Sequence, residues 1–178
     1  VSMYAGARPE RIRRLINLEG FGLAATKPSQ APGRYAKWLN EVKAARQGEM
    51  NLRTYADSDA VAQRLIKTNP RLSLDKAQWL AQHWAQKNSN GEWEILGHPA
   101  HKVINPYLFR VDEMLAIYQS ISAPVLNVEA SQNDLEKWWQ GKYKLEEFHE
   151  RIKHIKDIHS VTIQDAGHMM HHDQPQIL

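Results

Sequence analysis

The 178 residues include no cysteine. That excludes disulfides, thiolate nucleophiles and cysteine-based zinc sites, and it fits a reducing compartment such as the cytoplasm. No apolar run approaches the roughly 18 residues that a membrane span needs, and no signal peptide is recognisable, so no membrane partner is expected. Charge of one sign is in short excess: 23 Lys and Arg face 20 Asp and Glu, for a net +3. The charges are interspersed, as in Arg8 to Arg14 and Lys142 to Lys156, and form no basic stripe with interleaved aromatics. A nucleic-acid partner is therefore not expected. A hydrophobic content of 42% is enough for a buried core, and the length fits one domain or two small ones.

The richest stretch lies near the end. Val161-Thr162-Ile163 reads as a short β-branched strand, followed by Gln164-Asp165-Ala166-Gly167-His168 and then by polar, His-rich Met169 to Pro175. Gly167 predicts an abrupt turn at the strand's carboxyl end, so that His168 projects from the sheet edge. Histidine is the side chain best suited to move a proton near neutral pH. His168, His171 and His172 are spaced so that a helix could present two or three of them to a metal. The His-Glu-x-x-His pattern is absent, however, and solvent-facing first-turn positions are the simpler reading of His171 and His172, so no metal is expected. His98 and His101, in Gly97-His98-Pro99-Ala100-His101, read as structural or surface loop residues.

Elsewhere the pattern alternates between strands and helices. Val1 to Arg8 reads as the middle of a small-residue helix without an N-cap, broken at Pro9-Glu10-Arg11. An apolar strand, Ile12 to Leu18, then ends in Glu19-Gly20-Phe21-Gly22. Ala25 to Gly33 has linker composition. Helical spacing marks Arg34 to Gln47, Ser58 to Thr68, Ser73 to Gln86 and Val111 to Ser120, with a turn at Asn88 to Gly91 and a short strand at Glu92 to Leu96. Trp38, Trp79, Trp84 and Trp93 are expected mainly to pack the core of this helical block. The chain returns to a strand at Ala123 to Ala130, with Ser131-Gln132-Asn133-Asp134 after it. The chain opens inside one helix and stops at Pro175-Gln176-Ile177-Leu178 where another begins, as expected for part of a larger fold.

The order of these segments resembles the α/β-hydrolase superfamily. Small-residue helix, Arg-Pro-Glu-Arg-Ile, and a strand ending Leu-Glu-Gly-Phe-Gly looks like the helix after the nucleophile elbow followed by the sixth sheet strand. Ala-Pro-Val-Leu-x-Val is similar to the strand after the cap, and Ala-Gly-His to the loop of the catalytic histidine. The resemblance implies an α/β fold: a partial parallel-sheet core, residues 1–24 and 122–178, with an inserted and mostly helical cap, residues 25–121, which shields the active site from water.

It also implies a triad in the chain order nucleophile, acid, histidine. His168 takes the place of the base. In most of the superfamily the acid follows the strand after the cap, near Asn133 or Asp134 here, but Ala130 replaces the usual glycine. In some branches, including haloalkane dehalogenases, the acid ends the preceding strand, where Glu19 stands. Glu19 is the favoured acid, with Asp134 the alternative and Glu129 a lesser one. No Gly-x-Ser-x-Gly elbow occurs in the sequence and Ser2 lacks flanking glycines, so the nucleophile is expected upstream of Val1.

The implied activity is a serine-type hydrolase cleaving a small ester or related acyl substrate, without a cofactor. Its partners are then that small-molecule substrate and the N-terminal part of the same protein, as a separate or nicked chain. An upstream Asp would instead mean dehalogenase or epoxide-hydrolase chemistry. A binding protein or inactive fragment on the same fold is the non-catalytic alternative.

Overall fold

The computed structural model describes residues 1–178. In chain order the elements are α1 (Ser2–Ala7), β1 (Leu15–Leu18), α2 (Ala31–Arg46), β2 (Thr54–Tyr55), α3 (Ser58–Thr68), α4 (Leu74–Trp84), β3 (Ala85–Lys87), β4 (Trp93–Ile95), α5 (Val111–Gln119), β5 (Val125–Ala130), α6 (Leu135–Trp138), α7 (Leu145–Ile152), β6 (Ile158–Ile163) and α8 (Met170–Asp173). They divide into one unit of Val1–Lys27 with Phe109–Leu178 and a second of Pro28–Leu108. No helix is long and apolar enough to cross a membrane.

The first unit has the expected α/β architecture. Its sheet is parallel in the order β1-β5-β6, with Leu15 opposite Val125 and Val128 opposite Val161. Parallel strands buried on both faces read as apolar runs; Val125 to Ala130 is buried almost throughout but interrupts that pattern with Asn127 and Glu129. β1 starts at Leu15, later than the apolar pattern from Ile12 predicts, with a 3₁₀ turn at Pro9–Arg11 and a bend at Arg13 before it. Side chains alternate along each strand. Leu15 and Val125 point towards a core that includes Ala5, Met114, Tyr118, Phe148 and Ile152. Each fully buried side chain such as Phe148 contributes about 1.5–3 kcal/mol to that core.

The opposite face is less covered. Val128, Ala130, Ile163, Ala166 and Met170 form a small cluster there, but Ile16 is 59%, Leu18 43% and Val161 37% exposed. β1 is also an edge strand, paired on one side only.

The helix Val111–Gln119 corrects the expected boundary at residue 121. It belongs to the sheet unit, because α1 packs on it backbone to backbone: a Cβ on Gly6 would lie 2.3 Å from the Ile117 carbonyl oxygen. The insert therefore ends at Leu108. The two strands of chain that flank it are tied together, since the Thr26 backbone N–H and its Oγ1 both donate to the Phe109 carbonyl, at 3.2 and 2.7 Å.

The second unit is mostly helical. Asp57 caps α3 by accepting from the Ala60 N–H at 2.7 Å, and Ser73 caps α4 from the Lys76 N–H at 3.3 Å. Val61, Ala62, Ala77, Leu80 and Ala81 pack these two helices together, and β2, β4 and β3 form a small antiparallel sheet beside them. Only Trp93 among the four tryptophans packs against this core. Trp79 and Trp84 are exposed and Trp38 is half-buried; small residues such as Ala77 and Ala81 let α3 and α4 approach without a tryptophan between them.

Candidate active site

Parallel pairing places the carboxyl ends of β1, β5 and β6 on one edge of the sheet, and the candidate residues sit on that edge. Glu19 follows β1 directly and its backbone is left-handed, with φ at 50°. That conformation is uncommon for a side chain other than Gly, Asn or Asp and persists only where the surroundings hold it. Several bonds do so. The Glu19 N–H donates to the Val128 carbonyl at 3.0 Å and the Phe21 N–H donates to the Glu19 carbonyl at 3.0 Å. Tyr143 Oη donates to the Phe21 carbonyl at 2.6 Å, and Arg151 Nη1 to the Leu23 carbonyl at 2.7 Å. The Phe21 and Phe148 rings meet edge to face at 5.0 Å.

This turn carries the carboxylate over the end of β5 towards the loop after β6. Glu19 Oε1 accepts from the Ala130 N–H at 2.8 Å, and Oε2 lies 3.0 Å from His168 Nδ1. The Glu19 side chain is wholly buried while that of His168 is 44% exposed. A buried carboxylate bonded at both oxygens is satisfied electrostatically. It favours the proton on Nδ1, which leaves Nε2 of the neutral imidazole as an acceptor. Trp138 meets the His168 ring edge to face at 4.6 Å between centroids.

The His168 loop is braced separately. Its left-handed residue is Asp165, φ 50°, two residues before the Gly167 at which the sequence predicts an abrupt turn; aspartate tolerates that region better than most side chains. The Gly167 N–H donates to Asp173 Oδ2 at 2.8 Å, and the Gln132 N–H to the Ala166 carbonyl at 3.0 Å.

Asp134 stands elsewhere, half exposed and 3.7 Å from Lys137 Nζ. Glu129 is buried but its oxygens are taken by His149 Nε2, 3.0 Å from each, and by Asn127 Nδ2 at 2.7 Å. Of the three carboxylates considered from sequence, Glu19 is the one brought to His168. His98 Nδ1 accepts from the Ala100 N–H at 3.1 Å and so closes its own loop. No three His, Asp or Glu side chains are arranged to hold a metal ion. Sequence reasoning missed Trp138, Tyr143 and Asp173.

Burial pushes the Tyr143 hydroxyl up to about 12, above its ordinary value of 10. A group whose pKa is raised on folding stabilises the fold below the unfolded value and loses that contribution as pH rises. Stability should therefore fall by on the order of 2 kcal/mol between about pH 10 and 12 through this group. Urea melts at pH 9 and 11.5 should show a shallower decline in Tyr143→Phe than in the parent chain. Equal declines would remove Tyr143 as the cause.

No family model matches the chain, and no curated protein does. Solved structures do. The hypothetical protein PA1622 from Pseudomonas aeruginosa PAO1 superposes with a TM-score of 0.74 at 21% identity, over 97% of this chain and 57% of that one. The thioesterase domain from the curacin biosynthetic pathway gives 0.70 at 20% identity, over 97% and 56%. The Mycobacterium tuberculosis esterase Rv0045c gives 0.62 at 18%, over 97% and 53%. The chain thus spans little more than half the length of the structures it matches. At these identities the likeness is one of fold, and the fold of this chain is that of an α/β-hydrolase.

Proposed function

We propose that this chain carries the acid and the base of a serine-type hydrolase acting on a small ester or thioester. The observation that carries this reading is the His168 imidazole, bonded at Nδ1 by the buried Glu19 while its side chain stays 44% exposed. In the reaction, a serine supplied from outside these residues attacks the acyl carbonyl while Nε2 takes its proton. Glu19 stabilises the imidazolium that forms, and His168 returns the proton to the leaving alcohol or thiol. Water then repeats the sequence to release the acid. Support comes from the esterase and thioesterase among the structures of the same fold.

The test is to treat the full-length protein with a fluorophosphonate probe, map the labelled residue, and follow p-nitrophenyl ester and acyl-thioester cleavage. Labelling of one serine, with hydrolysis abolished in parallel, is the expected result. A carboxylate nucleophile that forms an alkyl-enzyme would shift the protein to dehalogenase or epoxide-hydrolase chemistry. No labelled residue and no turnover would leave a binding protein built on the fold.

A further inference from the structure

Beneath the Glu19 turn, the helix-covered face of the sheet carries a run of polar side chains where apolar ones are the norm. Asn17 Nδ2 donates to Asn127 Oδ1 at 2.8 Å, and Asn127 Nδ2 donates to Glu129 Oε1 at 2.7 Å. Glu129 is closed off at its far side by His149 Nε2. Asn17, Asn127 and Glu129 are all buried, Asn127 completely. Burying that many polar groups is unfavourable unless each is satisfied and oriented.

The carboxylate orients them. Glu129, when ionised, only accepts, so Asn127 must turn its NH₂ towards it and its oxygen towards Asn17. Asn17 must then present its own NH₂ to Asn127, and the same NH₂ reaches the Gly20 carbonyl at 3.4 Å. The Asn17 oxygen is left directly under Gly20, where an added Cβ would lie 2.0 Å from it. Packing alone does not set this arrangement, because Asn17 and Asn127 also border a small cavity with Ser2 and Tyr118.

We propose that Asn17 is a positioning residue for the acid: wedged under Gly20 and polarised from Glu129, it holds the left-handed Glu19 so that the carboxylate meets His168. This rests on the reading of Glu19 and His168 as acid and base. Asn17 touches neither substrate nor reacting atoms and acts through Glu19 alone.

Three measurements on the full-length protein test it. Asn17→Ala should lower kcat by about 10²-fold, the scale of a misplaced catalytic group, with KM changed less than twofold. Asn17→Asp, nearly the same size but without the NH₂, should lose as much, and circular dichroism of both variants guards against one that does not fold. In a Glu19→Gln background Asn17→Ala should cause no further loss, whereas a merely structural role would subtract the same factor again. Third, the downfield proton resonance of His168 Nδ1–H, assigned with ¹⁵N-labelled histidine, should be lost or broadened in Asn17→Ala. Equal losses in both backgrounds, or an unchanged kcat and an unchanged resonance, would overturn the proposal. If Glu19→Gln keeps full turnover, the acid assignment fails and not the wedge. The His168 resonance then decides the wedge by itself, since it reads the geometry without turnover.

Discussion

Glu19→Gln in the full-length protein is expected to lower kcat by about 10³–10⁴-fold, the scale for orienting acids of this kind, with little change in KM. The size follows from one backbone group. The Ala130 N–H is a fixed donor at Oε1, so a glutamine must place its carbonyl oxygen there and its NH₂ towards His168. Nδ1 then has to accept, and the imidazole proton moves to Nε2, where it blocks general-base catalysis. The opposite amide orientation sets two donors against each other at Ala130. The fold should survive, because the substitution keeps the volume and one of the two bonds. Circular dichroism and p-nitrophenyl ester kinetics together check this. A fully active Glu19→Gln beside an inactive Asp134→Asn would pass the role to Asp134.

The second large effect concerns the 178 residues expressed by themselves: no detectable ester cleavage, and association in solution. The sheet has an edge strand with one unpaired side and an apolar face on which Ile16, Leu18 and Val161 are exposed. Such edges and patches drive self-pairing. Light scattering should report species larger than a monomer, and Ile16→Lys with Leu18→Lys should reduce them by breaking the patch. On the proposed reading, in which the serine lies outside these residues, supplying the segment that carries it should suppress association and restore hydrolysis together. A monomeric and active 178-residue product would show that both the proposed outside serine and the uncovered face have been misjudged.

Much of this was legible in the sequence, for physical reasons that can be named. Val125 to Ala130 reads as a buried parallel strand because Val125, Leu126, Val128 and Ala130 are apolar and a proline precedes them. Ser58 to Thr68 reads as a helix because Val61, Ala62 and Leu65 share a face. The helix Leu145–Ile152 was hidden: its apolar residues Leu145, Phe148 and Ile152 sit among alternating charges from Lys142 to Lys156. The left-handed residue Asp165 is harder to read than the turn at Gly167, since glycine is the stronger local signal although aspartate also tolerates that conformation.

The acid was a harder problem. β1 and β5 both carry an Asn-x-Glu pattern, Asn17-Leu18-Glu19 and Asn127-Val128-Glu129. Which glutamate meets the histidine depends on the turn after β1 and on strand order, neither of which is written locally. The repeat itself was the available sign of the buried polar ladder. Trp138 left no such sign, because nothing about a tryptophan in a short polar helix says that a histidine 30 residues later will lie against it.

The clasp between Thr26 and Phe109 has a consequence for how such a protein diversifies. The chain leaves the sheet unit and re-enters it at adjacent points that are bonded to each other. Everything from Pro28 to Leu108 hangs from that junction as a loop, and Glu19, Ala130 and His168 all lie outside it. Insertions, deletions or wholesale exchange of those residues can therefore remodel the insert while the proton-handling groups keep their geometry. One sheet unit can carry many inserts, and selection can act on the insert alone.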